Sequence, residues 1–255
     1  MVTSRLLEAF LACPVKCHLL SKGELPAGTE YSAWAVTREE SYRREGIRKL
    51  TAQVTSSGIA SPEHGLWKHE AWPFAVGKTV QAQGWEAEIA LIQRIFQAGT
   101  PSRFVPVRFA ANNRLSAADK TMAAFEAIAL AKTLGTKTGT ARIVHGEKQA
   151  TFSVNAAALS RTVHRKVSQV ASLLSAGSSP EAVLTRHCPE CGFQDGDQVN
   201  AERQKTERTR RWLTQHHQSA TSPERPCAFA GSRRSGSMSA MEQGVLQQCR
   251  VNRHW

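Results

Sequence analysis

"SAADKTMAAFEAIALAKTLG", residues 116–135, decides how the rest of the chain is read. Ser116 followed three residues later by Asp119 is a capping-box pattern, and Gly135 is the residue type that stops a helix in a left-handed turn. Between them the segment is rich in Ala and Leu, and Met122, Phe125, Ala129 and Leu130 form one apolar face. That predicts a helix laid on a sheet. The sheet is found on both sides of it. Upstream, "AWPFAVGKTVQA" (71–82), "WEAEIALIQRIF" (85–96) and "SRFVPVRFAA" (102–111) are apolar or alternating runs separated by Gly and Pro, which predicts three strands. Downstream, "ARIVHG" (141–146) and "ATFSVNAA" (150–157) predict two shorter strands. "ALSRTVHRKVSQVASLLSAG" (158–177) follows as a helix with Val163, Val167, Val170 and Leu174 on one side. Strands and helices interleave, so the fold class is α/β, a mixed central sheet flanked by helices.

Toward the N-terminus, Leu6, Leu7, Phe10 and Leu11 repeat at helical spacing behind Thr3 and Ser4, both good caps, and Pro14 should end or bend that helix. "TREESYRREGIRKL" (37–50) opens with Thr37 and Glu40, a second capping-box pattern, and continues as a strongly charged helix. Such a helix suits a solvated face as well as a phosphate-contacting one.

A content of 41% hydrophobic and 21% charged residues allows a real core, and the net charge of +12 points to a polyanionic partner. Nucleic acid is the first candidate and an anionic membrane surface the second. The charge is unevenly placed: residues 198–255 hold ten Lys and Arg against four Asp and Glu, and residues 1–197 hold 23 against 17. No stretch approaches the roughly 20 apolar residues of a membrane span, so no membrane partner is expected and the chain reads as cytoplasmic. Six cysteines, two of them in "CPEC" (188–191), then favour a metal or redox site over a disulfide framework. Beyond Gly196 no apolar period is sustained. The chain therefore divides into a folded part, 1–197, and a basic tail, 198–255, that cannot bury enough apolar surface to order itself.

Three blocks carry a resemblance: "TSRLLEAFLACPVKCHLLSKGE", "RFVPVRFAANNRLSAADKTMAAFEAIALAKTLG" and "LTRHCPECGFQ". Together, in order from Met1 to Gln194, they look like the RecB-like nucleases of the PD-(D/E)XK superfamily, relatives of the CRISPR-associated RecB-like iron–sulfur exonucleases. The resemblance implies a cysteine near the N-terminus and three near the C-terminus holding a four-iron cluster that joins the two parts of the chain, a soft-ligand arrangement that suits iron. By position, Cys13, Cys188 and Cys191 are three of the ligands. The fourth should follow "GFQ" within a few residues, where the chain reads "DGDQVNAERQ". A shifted reading frame or a recombined end after Gln194 would explain both that loss and the change in composition. Cys17 is the substitute ligand, although a buried thiol on the first helix explains it as well, and zinc held by the same four cysteines is the alternative cofactor.

In the family an Asp and a second acid on neighbouring strands hold Mg²⁺ and a Lys stabilises the transition state, since hard divalent ions take oxygen ligands. At the matching places this chain has Gly77 in "AVGK", Gln93 in "IQR", and Arg108 in "FVPVRFA". The catalytic acids are thus replaced. Glu86 and Glu88, two apart on a strand and near Lys78, are the displaced acids that could serve an active Mg²⁺-dependent DNA exonuclease, though a solvent-facing pair has the same pattern. His64, His69 and Asp119 fit a loop and a helix cap better than a metal site. No Gly-rich phosphate loop, Gly-x-Ser-x-Gly or His-Glu-x-x-His motif is present. The expectation is a RecB-like module acting on or binding DNA, with Arg43, Arg44, Arg161 and Arg165 on phosphates, either alone or as part of a larger helicase or nuclease assembly. A non-enzymatic zinc protein is the third reading.

Overall fold

A computed structural model describes residues 1–26, 28, 30–52, 54, 72–97, 99–137, 139–181, 188 and 191–193. All belong to the first of two units, Met1–Arg208; the second, Thr209–Trp255, lies outside the described residues, as do His64, His69 and the tail from 198.

The elements run β1 (Val2–Thr3), α1 (Ser4–Ala12), α2 (Pro14–Ser21), α3 (Glu30–Thr51), β2 (Phe74–Ala82), β3 (Trp85–Gln97), β4 (Thr100–Ala110), α4 (Ala117–Leu134), β5 (Thr140–His145), β6 (Ala150–Asn155) and α5 (Ala156–Ala176). They build an α/β fold with one mixed six-stranded sheet. β2, β3 and β4 form an antiparallel meander, β5 returns parallel to β4 after the α4 crossover, and β6 pairs antiparallel with β5. The two-residue β1 was too short to leave a period in the sequence. It pairs parallel with the start of β3, through Val2 opposite Trp85.

Local chemistry sets most of the boundaries. Thr3 Oγ1 accepts from the Leu6 N–H and starts α1, while Cys13 is extended and Pro14 takes the first position of α2, so the expected bend is a clean break. α4 carries the predicted reciprocal capping box between Ser116 and Asp119 and ends at Gly135 in the left-handed region, φ 62°. The expected start at Thr37 is corrected: α3 begins at Glu30, and the Thr37 hydroxyl is spent inside the helix, donating to the Ala33 carbonyl.

The layers on the two faces differ. On one face α4 is buried along the whole of Thr121–Ala131, between the sheet and helices α1 and α5, in a core that includes Leu7, Trp85, Ile89, Phe125, Ile128, Ile143 and Val163. The single apolar stripe read from its sequence is therefore too narrow. On the other face a smaller cluster of Phe74, Leu91, Val107, Phe109 and Val144 takes Tyr42 and Ile47 of α3 against it.

Candidate functional site: a charged cleft at the end of the β3–β4 ladder

The ladder between β3 and β4 runs from Gln97 opposite Thr100 to Leu91 opposite Val107 and stops there. Beyond it β4 continues against β5 alone, and the Glu88 N–H of β3 is taken by the Ser4 hydroxyl at the start of α1 (3.0 Å). A cleft of about 820 Å³ opens at this point. Its walls are α1 (Ser4, Arg5, Glu8), α3 (Val36, Glu39, Glu40, Arg43), the middle of β2 (Gly77, Lys78, Thr79), β3 (Glu88, Ile89, Ala90), β4 (Arg108, Phe109, Ala110) and α4 (Asp119, Glu126).

Gly77 has a backbone reason to be there. Its φ is +63°, and nothing lies within 4 Å of where a Cβ would stand, so the position needs glycine's freedom rather than its small size. The turn of the strand at this residue reverses the alternation of β2. Phe74 and Val76 pack in the small cluster, whereas Val80, an even number away, packs in the large one. Where the family resemblance expects an acid, this chain has a backbone kink in the cleft wall.

Arg108 holds the centre of the cleft. Its Nη1 donates to Glu126 Oε1 at 2.8 Å and its Nη2 to Glu8 Oε1 at 2.5 Å. Glu126 lies in the fully buried stretch of α4, its side chain 3% exposed, and its Oε2 has no hydrogen-bond partner among the described residues. Burial pushes the Glu126 carboxyl above the ordinary range against the opposing pull of Arg108. Burial also works against the charge on Arg108, but the Glu126 and Glu8 carboxylates outweigh it and hold the guanidinium above its usual value. A fixed cation therefore stands between two carboxylates, at the position where the resemblance would put a metal-binding acid. Glu39, exposed on α3, accepts from the Ala111 N–H, and partial desolvation by the atoms around its carboxyl raises it as well. Arg38 Nη2 reaches the Ala111 carbonyl at 3.4 Å, so α3 satisfies the peptide on which β4 ends.

The residues singled out in the sequence divide into those at the cleft and those elsewhere. Lys78 and Glu88 line it, on β2 and β3. Glu86 does not: it lies opposite Gln81 and accepts from the Gln81 amide at 2.6 Å. Gln93 sits farther along β3 and accepts from Arg142 Nη1 at 2.5 Å. Asp119 is the α4 cap, as expected, and its side chain also borders the cleft. Arg43 lines the cleft and Arg44 is exposed beside it on α3, but Arg161 and Arg165 are on α5, over the opposite face of the sheet. The four arginines do not make one surface.

Four of the six cysteines are described, two near the N-terminus and two in the 188–191 segment. Cys13, at the α1–α2 break, and Cys17, one turn into α2, are buried, and burial, helped by Cys13, pushes the Cys17 thiol up to about 11. Cys191 is buried and its N–H donates to the Cys188 carbonyl at 3.0 Å. The neighbouring Gly192 lies close against Pro26: a Cβ there would come within 2.6 Å of the proline ring. Among the described residues no three His, Cys, Asp or Glu side chains are gathered to hold a metal ion, and no helix is long and apolar enough to cross a membrane.

Glu8, Glu39 and Glu126 were not singled out by the sequence. Glu126 did leave a signal, being a carboxylate inside "MAAFEAIAL", where a buried helix has no other charge.

No family model matches the chain, and no curated protein matches it. Among solved structures it is similar to one described as the crystal structure of SSO0001, with 12% identity over 75% of this chain and 82% of that one and a TM-score of 0.40.

Proposed function

We propose that the chain is a DNA-binding protein of the RecB-like nuclease kind whose cleft no longer cuts. The observation that supports this reading is the Arg108 guanidinium between Glu8 and Glu126. A permanent cation there meets the charge demand of both carboxylates and repels a divalent ion from the ground a metal would need. Arg5, Arg43 and Lys78 around the cleft offer donors to phosphates. The test pairs two measurements on the full chain. Fluorescence anisotropy with labelled DNA is expected to show binding that falls steeply as salt rises, and incubation with Mg²⁺ or Mn²⁺ is expected to leave the DNA intact. Absence of binding at low salt overturns the proposal.

A second reading draws on Lys78 and Glu88 lining the same cleft: an Mg²⁺-dependent DNA exonuclease using Glu88, of the two displaced acids the one that borders the cleft. Metal-dependent cleavage abolished by Glu88→Ala would establish it in place of the first. Cys13, Cys17, Cys188 and Cys191 are the proposed ligands of an iron–sulfur cluster, or of zinc in its place. No step of the proposed function runs through them. Iron, sulfide and zinc analysis of anaerobically prepared protein decides between cluster, zinc and free thiols.

A further inference from the structure

β4 has two neighbours over its second half and one over its first. From Thr100 to Val107 it pairs with β3, but on its other side β5 joins only from Val107, opposite Arg142. No strand among the described residues pairs with Pro101–Val105 on that side. A slot of about 460 Å³ lies there, bounded by Pro101–Val105, by Ala127, Leu130, Ala131 and Leu134 of α4, and by the turn that leads into β5. Consecutive β4 residues border it although their side chains alternate between the two faces of the sheet, so the space runs along the strand's edge, in the line a longer β5 would take. It is at the other end of α4 from the charged cleft, which takes Asp119 and Glu126 of that helix.

The walls specify the occupant. The Ala110 carbonyl accepts from the Gly146 N–H at 3.3 Å on the β5 side, so by alternation Phe104 also directs its N–H and C=O to that side, where neither has a hydrogen-bond partner among the described residues. Pro106, of the same parity, has no N–H to leave unpaired. Backbone groups beside an apolar wall need a partner, and a strand edge is matched by another strand. The wall from α4 is Ala and Leu only, so side chains turned to it must be apolar. Arg103 and Lys137 are exposed at the rim. No carboxylate among the described residues lines the slot, and neither cation is in an ion pair there. Arg103 has the parity of Val107 and Phe109, which pack in the small cluster, so it stands off the face away from α4. A strand in the plane of the sheet therefore meets apolar surface on one face and a cation on the other.

We infer that the slot is a strand-addition site for a partner protein. It takes an extended segment of about four residues, in which apolar side chains turned to α4 alternate with acidic ones turned to Arg103. The site is independent of the DNA-binding reading above.

The full chain is titrated, by fluorescence anisotropy, with labelled hexapeptides that alternate Val with Glu or Val with Lys, and with two forms of the Val–Glu peptide N-methylated at its valines or at its glutamates. The Val–Glu peptide is expected to bind and the Val–Lys peptide not. One of the two methylated forms should bind about ten-fold more weakly, because the N–H groups of a strand alternate in direction and only one set faces β4. Arg103→Glu combined with Lys137→Glu should reverse the preference between Glu and Lys; both side chains are exposed, and circular dichroism should show the fold unchanged. If both methylated forms bind like the parent, strand addition is wrong. No binding of the Val–Glu peptide at millimolar concentration overturns the site. Decanoate bound in place of any peptide, and lost in the double variant, would make the slot a site for a lipid carboxylate and the inference wrong.

Discussion

α3 and α4 cover opposite faces of the same sheet in opposite ways. α4 is short of charge and buried on every side through its middle, so its one internal carboxylate, Glu126, had to be met by Arg108 reaching across from β4. α3 is dense in charge, with Gly46 and Thr51 its only fully buried residues among those described, and touches the body through a few specific groups. The lesson is that burial, and not propensity, decides where a charge becomes a structural feature. Glu126 on α4 is fixed in a strong pair, whereas Glu45 on α3 bonds to Arg48 in solvent, where such pairs contribute little.

The contrast can be broken most forcefully at Arg108. Arg108→Ala leaves Glu126 buried without its cation and is expected to lower stability by about 3–5 kcal/mol, read from urea denaturation. Adding Glu126→Gln should recover part of the loss, because the uncompensated charge is removed. A loss below about 1 kcal/mol would mean that the pair is solvated, and α4 would then be no different from α3.

Gly46 sharpens the comparison from the other side. A methyl group there would stand 2.4 Å from the Phe109 ring, too close for any real contact. Gly46→Ala is thus expected to destabilise by about 1–3 kcal/mol, although alanine is the better helix former by about 1 kcal/mol. If the variant proves more stable, α3 is not seated on Phe109 and its anchor is lost.

The smallest expected effect concerns Glu39, the one acid of α3 held against the body. Partial desolvation raises its carboxyl in the folded chain, so the folded state binds more protons than the unfolded state. Stability from this group is therefore greatest below the ordinary carboxyl value of 4.5 and is lost as pH rises from there through the folded value. Glu39→Gln should flatten that part of the urea-midpoint profile. An unchanged profile would place the dependence on Glu126 instead.

The strands and helices were legible because their signals are local. Alternation between 74 and 110, the Ser116–Asp119 box and Gly135 each act within a few residues, and the elements follow them closely. The start of α3 was not legible, because Thr37 and Glu40 imitate a cap while the segment before them is equally able to be helical. Of the site, Lys78, Glu88 and Arg43 could be picked by residue type, and Arg108 by its place in a resemblance. Glu8 left no signal, and Glu126, though marked as a lone charge in an apolar run, could not be matched to Arg108, since the two partners stand 100 and 18 residues from it in sequence.

The sequence by itself determined an α/β chain with a mixed sheet, a buried central helix and an excess of positive charge, all consequences of periodicity and composition. Only the tertiary structure decided where that sheet parts, which side chains look into the opening, and that an arginine occupies its centre. The reason is physical: the cleft exists because β4 leaves β3 for β5, and a strand's choice of neighbour is a long-range pairing that no local run of residues records.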